Sequence, residues 1–349
     1  MRVLLTGATG FIGSALVQAL VERGDRVRAI VRASSRTGLL ERLGVERVLC
    51  DLSDREGLLA AVQGAEVVFH VAGAVKVLRP RDFLRVNTEG TRLVAEACAR
   101  ASSPPRLVYL SSLAAAGPSA LDRPRREEDP EAPVSLYGYS KLEGERAVRE
   151  FAGRVKASIV RPPIVYGRGD CEFLPLLARM ARVGLSVQAG LGEKRYSTLH
   201  VHDLSQGLLA VAERGREVAR AGSQGIYFLD DGEAHPWAEI GAAACGALGR
   251  RAVQLRLPSF LGFAGAAGAA LGALLTRRPA MLSFDKLKEV RVAAWTCSSE
   301  RARRELGYRP RYALEAGMKE ALAPRPPGGS SSSGAPVNRT GRPPGPSGP

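Results

Sequence analysis

The chain is poor in cysteine and histidine, and poorer still in any useful spacing of them. Its five cysteines (Cys50, Cys98, Cys171, Cys245, Cys297) are scattered, odd in number and form no Cys-x-x-Cys pair. That excludes a disulfide framework and a thiolate zinc site, and predicts reduced thiols in a cytoplasm. The four histidines show no metal-ligand spacing, so no metal is expected. Lysine is scarce, with 7 residues against 43 arginines, and the net charge is +15. These cations are spread along the whole chain without a basic block or interleaved aromatics. They read as a solvated basic surface, and no specific nucleic-acid partner is expected. Arg2 leads at once into the apolar run Val3-Leu4-Leu5 and a glycine turn, so no cleavable leader is expected.

Long apolar runs are also rare. The exception is Leu257 to Thr276, free of charge and bracketed by Arg256 and by Arg277-Arg278. Its length would suit a membrane span, but Ala and Gly supply little transfer energy. A buried or pocket-lining helix is expected, with a peripheral membrane contact through 257–276 as the alternative. From Pro324 the sequence is Pro, Gly and Ser with some Arg, which predicts a disordered tail over 324–349.

What is present is a regular alternation. Apolar residues make up 45% of 349, enough for two domains or one with a lid. Strand candidates at 2–6, 26–31, 46–50, 66–71, 106–111 and 157–161 alternate with helical patterns at 11–23, 36–43, 54–63, 80–101 and 137–152. The pattern predicts an α/β, Rossmann-type, doubly wound parallel sheet over 1–164. The looser pattern over 165–323 predicts a smaller α+β substrate domain, with the chain free to cross between the two. Helices are expected at 172–183, 203–214 and 236–248, and short strands near 225–229 and 252–256. The polar, proline-bearing segment 117–136 reads as a surface loop.

The first turn carries chemistry. Thr6-Gly7-Ala8-Thr9-Gly10-Phe11-Ile12-Gly13 lies directly between a strand and a helix. Glycine serves where the backbone takes positive φ or approaches a ligand closely, and the helix start offers unpaired N–H groups to an anion. A dinucleotide pyrophosphate fits there. Further on, Tyr137 and Lys141 fall one helical turn apart on one face, whereas Tyr139 points elsewhere. A phenol has an ordinary pKa of about 10, and a neighbouring ammonium is expected to lower it. Ser111 and Ser112 end the fifth strand, where a hydroxyl can hold a substrate oxygen beside Tyr137.

Taken in order, Thr6-Gly7-x-x-Gly10-x-x-Gly13, Asp51-Leu52, His70-Val71-Ala72-Gly73, Asn87, Ser112, Tyr137-x-x-x-Lys141 and Arg161-Pro162-Pro163-Ile164-Val165-Tyr166-Gly167 resemble the extended short-chain dehydrogenase/reductase family. This is also called the NAD-dependent epimerase/dehydratase family, and the resemblance spans roughly 1–320. It implies catalysis by Ser112, which orients the substrate oxygen, Tyr137 as acid/base, and Lys141, which tunes the phenol and holds a ribose. It implies dinucleotide contacts from Gly7, Thr9, Gly10, Phe11, Ile12, Gly13, Asp51, Leu52, Val71, Ala72, Gly73, Pro162 and Ile164, together with Tyr137 and Lys141. It also implies a homodimer through helices 80–101 and 137–152.

Many NAD-binding members end the second strand with an acid; here Val31 is followed by Arg32, which favours the 2′-phosphate of NADP over NAD. Leu113-Ala114-Ala115-Ala116 replace the Asp-Glu pair of sugar dehydratases, and Ile164 stands where sugar-nucleotide enzymes often carry Asn. The loop Gly73-Ala74-Val75-Lys76-Val77-Leu78 is mostly apolar. The pattern is most similar to the 3β-hydroxysteroid dehydrogenase and dihydroflavonol reductase-like branch, and predicts oxidoreduction of a hydrophobic ketone or secondary alcohol. A sugar-nucleotide 4-epimerase with tightly held NAD is the alternative, and a non-catalytic dinucleotide sensor the next.

Overall fold

The computed structural model describes residues 1–258 and 284–324. The charge-free stretch 257–276 lies outside the described residues beyond Pro258, as does the expected tail beyond Pro324. Among the described residues no helix is long and apolar enough to cross a membrane.

A seven-stranded sheet dominates. Its strands are β1 (Arg2–Thr6), β2 (Arg26–Val31), β3 (Glu46–Leu49), β4 (Val67–His70), β5 (Arg106–Leu110), β6 (Ala157–Arg161) and β11 (Ile226–Phe228). They lie side by side as β11-β6-β5-β4-β1-β2-β3, all pairs parallel. The order reverses between β1 and β4, which opens a crevice at their C-terminal ends. Central strands such as Val-Val-Phe-His of β4 and Ala-Ser-Ile-Val-Arg of β6 are buried along their whole length. Parallel strands covered on both faces have no solvent side, hence the continuous apolar runs.

Helices cover both faces. On one side lie α1 (Phe11–Glu22), α2 (Gly38–Arg42) and α9 (Val201–Arg214), which bury Leu16, Leu20, Leu40, Leu204 and Leu208. On the other lie α3 (Arg55–Val62), α5 (Gly90–Arg100) and α7 (Leu136–Arg149), which bury Leu58, Val62, Val94, Cys98 and Val148. The helix expected at 80–101 is in three parts: α4 (Arg81–Leu84), a π-helical turn (Arg85–Glu89) and α5. The turn places Asn87 inward, fully buried.

The second half is a smaller assembly. It contains β7 (Ile164–Tyr166), α8 (Phe173–Arg182), β8 (Leu185–Ala189), β9 (Arg195–Tyr196), β10 (Thr198–His200), β12 (His235–Pro236), α10 (Trp237–Ala247) and β13 (Val253–Leu257). It continues with α11 (Phe284–Arg291), β14 (Ala294–Trp295), α12 (Glu300–Leu306) and α13 (Leu314–Leu322). Its own core joins Leu174, Leu177, Ile240, Ala244, Leu314 and Met318. β11 pairs with β6 at the edge of the large sheet, and α9, Ala302 and Leu306 pack into its core.

Segment 117–136 differs from a plain surface loop. Arg125 and Glu127 are buried. The Arg125 guanidinium donates to the Ala116 and Pro130 carbonyls, and Glu127 accepts the Phe228 N–H at 3.0 Å. These two charges satisfy backbone groups that folding would otherwise strand.

Candidate active site

The first turn fits an anion. Gly7 has φ +77°, and a Cβ there would lie 2.6 Å from the Ala72 nitrogen. A Cβ at Gly13 would collide with the Gly7 carbonyl, so α1 can pack this close to β1 only with glycine. Gly10 caps α1 without a side-chain acceptor, and the first turn has no acidic residue. The helix therefore presents its positive end beside the exposed Thr9 and Gly10. Phe11 and Ile12 are half-buried on the same turn. The cradle fits the pyrophosphate of a dinucleotide.

A buried relay aligns the neighbouring loop. The Thr6 hydroxyl accepts the Ala72 N–H at 3.2 Å and meets His70 Nδ1 at 2.7 Å. His70 Nε2 meets Thr91 Oγ1 at 2.9 Å, and Thr91 donates to the Asn87 carbonyl at 2.7 Å. Both hydroxyls then agree on an imidazole protonated at Nε2. Burial, aided by the Lys141 charge, drives the His70 pKa down to about 3. The ring is neutral and structural. Asn87 holds the next residues, accepting the Ala74 N–H at 2.8 Å and donating to the Ala74 carbonyl and the Ser140 hydroxyl, each at 2.9 Å. This fixes Val71, Ala72 and Gly73 along the crevice. A Cβ at Gly73 would lie 2.9 Å from Lys141 Nζ.

Arg32 and Asp51 stand at the other end, on the adjacent edges of β2 and β3. Both are exposed. Hydrogen bonds from Ser53 hold the Asp51 carboxyl below its ordinary range, and the charges of Arg32 and Arg85 add to this. Leu52 packs on Gly90. Pro162 is buried and its carbonyl accepts the Leu113 N–H at 2.8 Å, while Ile164 is half-buried at the start of β7.

Ser112, Tyr137 and Lys141 meet at the end of β5. Ser112 follows the strand and caps the short helix α6 (Leu113–Ala116), its hydroxyl accepting the Ala114 N–H at 3.1 Å. The same hydroxyl acts on the Tyr137 phenol and works to lower its pKa. Tyr137 opens α7, capped by Ser135, which accepts the Gly138 N–H at 3.0 Å. A Cβ at Gly138 would strike the Ala114 carbonyl, so glycine lets the two helices touch. Lys141 is buried and donates to the Leu110 carbonyl at 2.8 Å. Tyr139 points outward, 53% exposed.

One expectation is corrected. The Lys141 ammonium donates to the Leu110 carbonyl and not to the Tyr137 phenol, and the phenol rises where a fall was expected. Burial pushes the phenol up to about 12; the Ser112 hydrogen bond works against this and the nearby Glu289 carboxylate adds to it. Burial lowers Lys141 to about 8, against the charge of Glu145.

Two residues invisible to local reading complete the site. Asp285 of α11 accepts the Leu136 N–H at 2.7 Å and the Tyr137 N–H at 3.3 Å. Glu289 of the same helix accepts the Ser135 hydroxyl at 2.6 Å. Their i, i+4 spacing was the sole sequence signal, and it named no target. Asn87 was quoted within the motif series but not assigned to the site.

The described geometry defines a class: a dinucleotide-binding fold with a serine–tyrosine–lysine centre at its topological switch. The chain belongs to the NAD-dependent epimerase/dehydratase family, whose model matches residues 3–223. It is similar to the ceramide reductase of Caulobacter vibrioides, 35% identical over 85% of this chain and 86% of that protein. It is also similar to a 4-hydroxy-2-methyl-3-oxo-4-farnesyl-3,4-dihydroquinoline-1-oxide ketoreductase of Stigmatella aurantiaca, 32% identical over 94% of this chain and 98% of the other. Among solved structures it resembles MoeE5 in complex with UDP-glucose and NAD, with TM-score 0.68 and 27% identity, over 92% of this chain and 97% of that one. The protein is an enzyme of the NAD(P)-dependent oxidoreductase/epimerase type.

Proposed function

We propose that this protein reduces a hydrophobic ketone to a secondary alcohol, with NADPH as the preferred reductant. The observation that carries the reading is the setting of Tyr137. Its ring packs in an apolar cluster with Leu113, Ala114, Phe228 and Trp295, and Phe83 lies 6.0 Å away, centroid to centroid. An apolar pocket with a few convergent polar groups suits a lipid-like or polycyclic carbonyl compound. The named relatives support this, one acting on ceramide and another on a farnesylated quinoline ketone.

A reduced nicotinamide, when bound, supplies the hydride. Ser112 donates a hydrogen bond to the substrate carbonyl oxygen. Tyr137 gives its proton to that oxygen as the carbon is reduced, and the phenolate recovers a proton from solvent. A phenol held up at about 12 keeps its proton at neutral pH and so has one to give. Lys141 and the cradle residues hold the cofactor. Arg32, exposed beyond β2 with no acid in its place, supports the 2′-phosphate. Two copies pair through the α4–α5 and α7 helices in this reading.

A ketone panel tests the proposal. Long-chain 3-oxoacyl, sphingoid and steroid ketones are offered with NADPH and with NADH. Turnover of at least one, with Arg32→Ala raising the KM for NADPH about tenfold and leaving NADH unchanged, is the expected result. The likeness to MoeE5 favours one second reading, sugar-nucleotide epimerisation. Retained NAD in the purified protein, with turnover of UDP-glucose and of no ketone, establishes that reading instead. Tight cofactor binding with neither turnover leaves a sensor.

A further inference from the structure

An unbalanced patch of charge lies on the C-terminal half. No acidic residue occurs from Phe173 to Gly192, and none from Ile240 to Phe284. The structure places the described parts of these two segments together. β13 runs parallel to β8, with Val253 opposite Leu185 and Leu255 opposite Val187. The Val253 N–H donates to the Gly184 carbonyl at 2.8 Å, next to the end of α8, and the Arg256 guanidinium reaches the Leu191 carbonyl at 3.3 Å. Arg179, Arg182, Arg250 and Arg251 are exposed beside the Val183–Gly184 turn, and Arg256 is exposed on the Gln254 side of β13. Among the described residues none of the five forms an ion pair.

The same surface exposes large aliphatic side chains: Val183 is 70% exposed, Leu191 63% and Val253 62%, with Leu176 and Leu255 also open. Leu176, Arg179 and Val183 share one face of α8 at helical spacing. The strand pair is inverted relative to an ordinary surface sheet. Ser186 and Gln188 are buried, and Gln254 bonds the Ala238 carbonyl of α10, while Leu185, Val187, Val253 and Leu255 occupy the other side. Large exposed aliphatic side chains beside unneutralised cations mark an interaction surface. The other basic, apolar strip, Val75 to Arg85, is different in kind: Lys76 pairs with Glu172 and Arg85 with Asp82.

We propose that the face formed by the end of α8, the Val183–Gly184 turn and β13 docks on the anionic surface of a lipid bilayer. Guanidinium groups bind phosphate with paired donors and shed their water readily. Unpaired cations near an anionic leaflet each add attraction that falls away within a Debye length. The aliphatic side chains between them enter the headgroup layer, which gives the apolar contact that charge alone does not supply. This face would let the enzyme meet a membrane-dissolved substrate, but the docking does not rest on the catalytic reading.

Vesicle sedimentation of the full-length protein tests it without any turnover. The vesicles are phosphatidylcholine alone, or phosphatidylcholine with about a third phosphatidylglycerol. Binding to the anionic vesicles only, weakened by salt, is expected. The net charge of +15 is itself a rival explanation. Two double variants therefore remove equal charge, Arg182→Glu with Arg251→Glu on the face, and Arg26→Glu with Arg42→Glu on the dinucleotide-binding half. The face pair should weaken partition roughly tenfold or more, and the remote pair by far less. Val183→Ser with Val253→Ser should weaken it with the charge unchanged.

Equal loss from both charge pairs would reduce the effect to net charge and overturn the proposal. Binding that survives the face variants would overturn it too. A dimer dissociated by Val183→Ser with Val253→Ser, without vesicle binding, would assign the face to a second copy. A fall in Tm from the serine variant, with partition unchanged, would mean that the chain itself covers these side chains. Capture of an acidic protein in place of vesicles would also refute the bilayer as occupant.

Discussion

The Lys141 ammonium is bonded to the Leu110 carbonyl, the last of β5, at 2.8 Å, and not to the phenol one helical turn before it. It lies 5.1 Å from the centre of the Tyr109 ring and is fully enclosed. The lysine thus has two structural anchors before any cofactor arrives. Because burial lowers it to about 8, its charge is lost in mildly alkaline solution.

That gives a first prediction. The pH profile of kcat/KM reports ionisations of the free enzyme, so activity should fall as pH rises through about 8. Lys141→Met should lower kcat/KM by about a hundredfold and abolish that alkaline limb. It should also cost roughly 1–3 kcal/mol of stability, since the Leu110 carbonyl loses its donor. Steady-state rates from pH 6 to 9.5 and thermal unfolding check both.

Two histidines predict how stability depends on pH. His70 stays neutral down to about 3, while the unfolded side chain takes a proton near 6.5. Between these values the unfolded state binds more protons, so stability falls as pH falls below about 6.5. His235 has the opposite sign. Burial opposes its charge, but hydrogen bonds to Asp231 at 2.9 Å and Glu239 at 2.8 Å raise it to about 9. Its contribution is complete below 6.5 and is lost as pH rises through about 9. Denaturant unfolding should show His235→Gln flattening the alkaline side, and His70→Gln the acid side between pH 6.5 and 5.

The pair behind the catalytic helix predicts a larger effect. Arg161 is wholly buried and donates to both oxygens of the buried Glu145, at 2.8 and 2.6 Å. Glu145→Gln leaves the guanidinium with Glu131 alone, at 3.2 Å. A buried charge stripped of its partner costs roughly 3–5 kcal/mol. Chemical denaturation should show that loss, whereas Glu143→Gln, at an exposed pair on the same helix, should change stability by under about 1 kcal/mol.

Much of this molecule was legible before folding because its signals are local. Gly7, Gly10 and Gly13 state a backbone requirement within eight residues, and Tyr137 and Lys141 share a helical face by spacing alone. The parallel, doubly wound sheet followed from short apolar strands alternating with helices. What stayed hidden is long-range. Asp285 and Glu289 reach the start of α7 from about 150 residues away, and no spacing announces that. The Tyr137 phenol was expected to fall and instead rises, because tertiary burial, which no local spacing announces, dominates its setting. Arg125 and Glu127 look like loop charges until Ala116 and Phe228 are seen to need them.

The central claim is that the Tyr137 hydroxyl gives the proton. Replacement of Tyr137 by Phe, assayed with NADPH and the best ketone of the panel, tests it directly. The expected result is kcat down by about 10²–10⁴-fold, with dinucleotide affinity and unfolding temperature nearly unchanged. A Tyr137→Phe enzyme that turns over at the wild-type rate would contradict it.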